Sequence, residues 1–244
     1  MSTGMLPDAS MDLLSYQESE QPVQRVSSVE VEELAILPAE LDDDTETGEP
    51  DDHSDDARLQ LEPWLLAMRH QLTSNDFSSV EPKLPCQILP HLLLGDMACA
   101  SQFGLLKQSD VTHVLNVAGE YARGACVDEY RSQGFEYLEV AAMDLAGYDM
   151  LQHWPTAAAF IQRALDGGGK CLVHCAAGIN RSGFIAGCEL MLRKRLPVLQ
   201  VAMRLRAARG VVLLNESFCH QLLRLAQEHA LLGPSPATRN TWPP

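Results

Sequence analysis

Lys170-Cys-Leu-Val-His-Cys-Ala-Ala-Gly-Ile-Asn-Arg-Ser-Gly183 reads as a buried strand that runs through a loop into a helix. A loop closed at a helix N-terminus gathers backbone N–H groups around one point, and such a point favours a phosphate dianion. Cys175 stands at the end of the strand, facing that point. The partial positive charge of the helix terminus and the Arg181 guanidinium both favour an ionised thiol, so Cys175 is expected as a thiolate at neutral pH. Arg181 can offer a planar fork to two phosphate oxygens, a geometry lysine cannot copy. One stretch thus holds a nucleophile, a cradle and a clamp.

From about residue 84 to 232 the chain alternates strand and helix patterns on both sides of this stretch. Ile88 to Leu94, Val111 to Val117, Phe135 to Ala141 and Cys171 to His174 are short apolar runs with turn residues nearby, as buried strands should be. Leu151, Trp154, Ala158, Ile161 and Leu165 recur at steps of three and four, which predicts one helical face, and Gly167-Gly-Gly169 ends that helix. Helices are expected over Arg181 to Arg195, Pro197 to Arg209 (Val198, Val201, Ala202 and Leu205 inward) and Glu216 to Leu232. The fold class that follows is α/β, a central, largely parallel sheet flanked by helices.

The flanks differ in composition. Residues 1–60 hold 17 acidic against 2 basic residues, equal to the net charge of −15 of the whole chain. That stretch is poor in aromatics and is expected to be a disordered acidic tail. Within it Val29 to Pro38 mixes acids with aliphatics, which leaves open partner docking on the tail or a solvated patch without function. Residues 61–83 read as an amphipathic helix, carrying Trp64, Leu65, Met68 and Leu72, and a linker. Residues 84–232 form the α/β domain, and Gly233-Pro-Ser-Pro stops the last helix and opens a tail over 233–244. The near-neutral remainder argues against a nucleic-acid partner, which needs clustered Lys and Arg. Seven cysteines without a CxxC pair or metal-like cluster fit free thiols and a reducing compartment. With no signal-like or spanning segment, the reading is cytoplasmic and/or nuclear with no membrane partner.

His174-Cys-x5-Arg181-Ser182, preceded by an apolar strand, carrying Gly178 in mid-loop and followed by an apolar helix, resembles the signature of the protein tyrosine phosphatase superfamily. The likeness to its dual-specificity branch covers residues 84–230, through Ile88-Leu-Pro-His-Leu-Leu-Leu-Gly95, Val111-Thr-His-Val-Leu-Asn116 and Asn215-Glu-Ser-Phe218. The first 60 residues lie outside it. The resemblance implies that Cys175 attacks phosphorus to form a phosphocysteine while Arg181 and the loop amides of Ala176, Ala177, Gly178, Ile179, Asn180 and Arg181 hold the other oxygens. It gives Ser182 a hydrogen bond to the departing sulfur, and His174 the task of orienting the strand end and keeping Cys175 ionised. Asp144, at the end of Tyr137-Leu-Glu-Val-Ala-Ala-Met-Asp144, lies where this family places its general acid, with Asp149 as the rival. No cofactor and no metal are implied, and the partners would be phosphoprotein substrates.

Plainer readings stand beside these. Cys171, Cys188 and Cys219 are expected to be inert packing, Asn215 a helix N-cap, and Arg193, Lys194 and Arg195 a solvated helix end. Asn180 departs from the usual Ser of dual-specificity enzymes and resembles the loop of RNA 5'-triphosphatase relatives. Ala176 and Ala177 lack the basic side chains of phosphoinositide-cleaving relatives. In place of the large basic-docking N-terminal domain of the MAP kinase phosphatases the chain has about 80 mostly acidic residues, so it looks like a small atypical dual-specificity phosphatase. A pseudophosphatase that binds phosphoproteins without turnover is the alternative from another class. The course of the loop Gly119 to Gly134, which would set pocket depth, is open at this stage.

Overall fold

The computed structural model describes residues 53–74 and 84–236. In chain order the elements are α1 (His53–Thr73), β1 (Cys86–Leu89), β2 (Leu92–Gly95), α2 (Met97–Ala100), α3 (Phe103–Gln108), β3 (Val111–Asn116), α4 (Val127–Ser132), β4 (Glu136–Glu139), α5 (Trp154–Asp166), β5 (Lys170–His174), α6 (Arg181–Lys194), α7 (Val198–Arg209) and α8 (Glu216–Glu228). Single 3-10 turns cover Glu120–Ala122 and Leu151–His153.

The strands form one sheet in the order β1-β2-β5-β3-β4, parallel except for the β1-β2 pair. The expected single strand from Ile88 to Leu94 is in fact a hairpin: Pro90 supplies no N–H to a ladder, and the chain turns at Pro90-His91. Side chains alternate across the sheet. Leu93, Val114 and Leu172 enter a core with Tyr130 and Phe135, while Leu92, Leu94, Leu115, Cys171 and Val173 enter the larger core with α1 and α5 to α8. Helix α6 is the centre of that core, buried without interruption from Ser182 to Met191. Gly95, Asn116 and His174 lie in register, so three parallel strands end on one line at the mouth of the loop after β5.

Several boundaries differ from the sequence expectations. In α5 the buried face is Ala157, Phe160, Ile161 and Ala164, with Leu151, Trp154, Ala158 and Leu165 at its margin. The two alanines let the helix approach the sheet, and Phe160 meets the His113 ring edge-on at 5.1 Å. Helix α8 ends at Glu228 rather than Leu232, because Ala230 takes a left-handed φ of 56° and Leu231 N–H turns back to Ala226 O at 2.7 Å. Arg193 is not a solvated end. It donates to Glu189 at 2.9 Å, and the same carboxylate oxygen lies 3.0 Å from His91 Nε2. Burial would raise the Glu189 pKa, but these hydrogen bonds outweigh it and hold the carboxyl below its usual value.

Helix α1 begins at His53, inside the span read as a disordered tail, where Ala57, Arg58, Leu59 and Gln60 are all good helix formers that a count of charge overlooks. The rest of that span, with Val29 to Pro38, lies outside the described residues, as do 75–83 and 237–244. The helix buries Leu61, Leu65, Met68 and Leu72 against α7 and α8, and Arg69 pairs with Glu216 at 2.9 Å. It is therefore part of the domain's core. Met68 is fully buried, and Met68→Ala is expected to lower the unfolding free energy by about 2 to 5 kcal/mol in a urea titration.

Candidate active site

The loop between β5 and α6 is shaped by what its carbonyls bond to. Ala176 O accepts from Met97 N at 3.2 Å, and Ile179 O from Leu213 N at 3.1 Å. Arg209 donates from Nη2 to Ala177 O at 3.0 Å and from Nε to Gly178 O at 2.9 Å. Asn180 O takes the first helical bond of α6, from Phe184 N at 2.8 Å. In a trans peptide the C=O and the following N–H point to opposite sides. With five successive carbonyls drawn outward, the N–H groups of Ala177 to Arg181 are turned inward to a common centre, which is an anion-binding nest at a helix N-terminus.

Gly178 makes this path possible. Its φ is +64°, and a Cβ there would stand 2.6 Å from Gly95 O, at the end of β2. Asp96 follows Gly95 and caps α2 by accepting from Cys99 N at 2.8 Å, which aims Met97 N at the loop.

At the base of the nest Cys175 is 2% exposed, and Ser182 Oγ donates to its Sγ at 3.2 Å. Desolvation pushes the Cys86 thiol up to about 11, Cys99 and Cys219 up to about 12, and Cys171 and Cys188 higher still. Arg181 opens α6. Its Nη1 is tethered to Ala142 O at 3.2 Å, and its Nε lies 4.0 Å from Asp144 Oδ2. The fork is thus held over the loop from one side, with further donors left for a ligand.

Asp144 lies on irregular chain after β4, and polar contacts tie its side chain to the loop. Asn180 Nδ2 reaches Oδ1 and Oδ2 at 3.2 and 3.1 Å, and Asn215 Nδ2 reaches Oδ1 at 3.0 Å. Asn215 is the N-cap of α8, accepting from Ser217 N at 3.1 Å, and holds Asp144 in addition. Asp149 instead accepts from Leu151 N at 3.0 Å and caps the turn that leads into α5. The loop Gly119 to Gly134 contains a 3-10 turn and α4. With α2 it walls a groove lined by Met97, Ser101, Glu120, Tyr121, Arg123 and Cys126, adjoining the phosphate loop at Met97.

Sequence reasoning passed over Arg209. At the end of α7 it looks like any cation favoured by a helix C-terminus, and its partners lie more than thirty residues upstream. His174 is fully buried, and burial pushes its pKa down to about 4, countered in part by the Cys175 backbone beside it. A neutral ring lends the site no positive charge; beside Cys175 the hydrogen-bond donor is Ser182, and the nearby cation is Arg181.

A base whose folded pKa is depressed disfavours the native state once the unfolded chain binds the proton. Stability is therefore lost as pH falls through the window from about 6.5 to about 4. The His174 contribution at pH 5 is about 2 kcal/mol. Urea midpoints at pH 7 and pH 5 should show this drop in the wild type and a shallower one in His174→Asn.

Comparison with known proteins agrees with this geometry. Residues 92–228, more than half of the chain, match the family model "Dual specificity phosphatase, catalytic domain". Human dual specificity protein phosphatase 26 is 39% identical over 140 residues, which span 57% of this chain and 65% of that relative. Mouse dual specificity protein phosphatase 13B is 33% identical over 138 residues, covering 56% of this chain and 69% of the other. The crystal structure of human DUSP28 superposes with a TM-score of 0.53 at 27% identity, covering 62% of this chain and 99% of that one. The match thus spans a little under two thirds of the length of the first of these relatives, and the family model covers the loop and the residues that brace it. With the nest, the buried thiol and the arginine fork on one helix N-terminus, the chain belongs to the dual-specificity phosphatase family.

Proposed function

We propose that this protein is a cysteine-dependent protein phosphatase that hydrolyses phosphotyrosine and phosphoserine or phosphothreonine monoesters. The observation that carries the proposal is the Ser182 hydroxyl 3.2 Å from Cys175 Sγ at the base of a loop whose five carbonyls from Ala176 to Asn180 are all bonded to other partners, which leaves the opposing amides to the side of Arg181. In the first step the Cys175 thiolate attacks phosphorus, the ester P–O bond breaks, and Asp144 gives its proton to the leaving oxygen. Arg181 and the amides take the charge of the equatorial oxygens, fixed in place before the reaction. In the second step water attacks the phosphocysteine, Asp144 takes the water's proton, and the thiolate departs onto the Ser182 hydrogen bond. The groups that act in the cycle are side chains and backbone amides of this chain, with water, and none of the steps as written calls for a metal or cofactor.

The surroundings favour a protein substrate over RNA. Met143 and Leu145 flank Asp144, and Leu214 precedes Asn215; all three are more than half exposed, so the rim beside the acid is apolar. A polynucleotide would call for cations there. Asn180 is occupied by Asp144 and by the backbone before α8, which gives it a part in monoester chemistry and removes its weight as a pointer to triphosphates. Unbridged thiols and a thiolate nucleophile suit a cytosolic or nuclear setting.

Purified protein should hydrolyse phosphotyrosine and phosphoserine peptides, and Cys175→Ser and Arg181→Lys should each abolish turnover with the thermal transition retained. Appreciable turnover in either variant refutes the assignment. Asp144→Asn should slow a phosphotyrosine peptide by about 10² to 10⁴ and an activated aryl phosphate far less, since a poor leaving group depends on proton transfer. Faster phosphate release from 5'-triphosphorylated RNA than from any phosphopeptide, with Asp144 dispensable, would move the protein to the other substrate class.

A further inference from the structure

The Asn180 side chain makes and breaks no bond in the reaction as written, yet both of its polar atoms are fully engaged. The amide nitrogen donates to the two oxygens of Asp144, at 3.2 and 3.1 Å. The amide oxygen accepts from Leu214 N at 2.7 Å and from Asn215 N at 3.1 Å. One side chain therefore ties together the phosphate loop, the acid-bearing loop and the chain entering α8. Asn215 closes the triangle with its own bond to Asp144 Oδ1 at 3.0 Å.

Asp144 needs such ties. Its immediate neighbours Met143 and Leu145 are exposed, so the core holds the chain no nearer than Ala142, two residues before. An aspartate there would otherwise lose its place among several rotamers, and a displacement of about 1 Å in a reacting group can cost a hundredfold in rate. We infer that Asn180 is a positioning residue for the general acid, latching the Asp144 carboxyl to the phosphate loop so that acid and cradle keep one geometry. Serine at this position is shorter and has one polar atom, so it cannot span the carboxylate and the two α8-side amides together. The latch acts where the proton matters, on esters with poor leaving groups.

The inference rests on Asp144 being the acid, and the experiment separates the two. Asn180→Ser, Asp144→Asn and the double variant are compared with wild type on a phosphotyrosine peptide and on a difluoromethylumbelliferyl phosphate. Vanadate inhibition reports the cradle, and Asn180→Ala stands in if the serine variant fails to fold. Asn180→Ser should lower kcat on the peptide by about ten- to a hundredfold with KM little moved. The activated ester should fall by no more than about threefold, and vanadate affinity should hold within the same factor. In the double variant the peptide rate should match Asp144→Asn alone, because a latch without its acid has nothing to position. Equal slowing of both substrates, a large loss of vanadate affinity, or additivity with Asp144→Asn would reduce Asn180 to a structural part of the loop and overturn the inference. If Asp144→Asn itself slows both substrates alike, the acid assignment fails, and the latch fails with it; if Asp144→Asn is selective and Asn180→Ser is not, the latch alone is wrong.

Discussion

The outward pull on the carbonyls of residues 176 to 180 is the constraint on which the site depends. Peptide N–H groups repel one another when they point at one centre, so their direction has to be fixed from the opposite side of each peptide. The cost is met by giving each opposing carbonyl a firm partner: Met97 N from α2, the Arg209 guanidinium from α7, Leu213 N from the approach to α8, and α6 itself. Four different helices or their approaches thus brace one six-residue turn. The rest of the architecture follows, since those helices reach the loop only if β2, β5 and β3 end on the same line.

What could be read from the sequence was what acts over short distances along the chain. Cys175, Gly178, Arg181 and Ser182 lie on one strand-loop-helix unit, and their chemistry needs no knowledge of the rest of the fold. The parallel order of the sheet followed from the alternation of runs. Helices α2, α3 and α4 were missed because each is six residues or fewer, too short for a 3.6-residue period to declare itself. The β1-β2 hairpin was read as one strand because a two-residue turn at Pro90-His91 barely interrupts an apolar run. Arg209 and the second partner of Asn215 were invisible for another reason, as both act on residues 31 or more positions away.

Burial divides the cysteines by the same logic. Cys171 and Cys188 sit in the larger core, where desolvation outweighs the backbone hydrogen bonds that favour the anion, and the thiol stays protonated. Cys175 is almost as deeply buried, but its sulfur faces Ser182 and the inward amides. Depth alone says little about reactivity; the groups turned toward the sulfur decide it. His174 marks the boundary between these environments, with its ring in the dry interior and its backbone in the β5 ladder.

Each polar side chain around the nest binds the loop to a different neighbour. Arg209 ties it to α7, Arg181 ties α6 to the Ala142 carbonyl, and Asn180 ties it to Asp144 and the start of α8. Helix α1 packs on α7 and α8, the two elements that carry or follow these ties, and Arg69 reaches Glu216 in the first turn of α8. The described part of the N-terminal extension therefore supports the helices that hold the loop in shape, while adding no group to the nest itself. Its effect on the site is through the rigidity of α7 and α8, and so through the placement of Arg209 and Asn215.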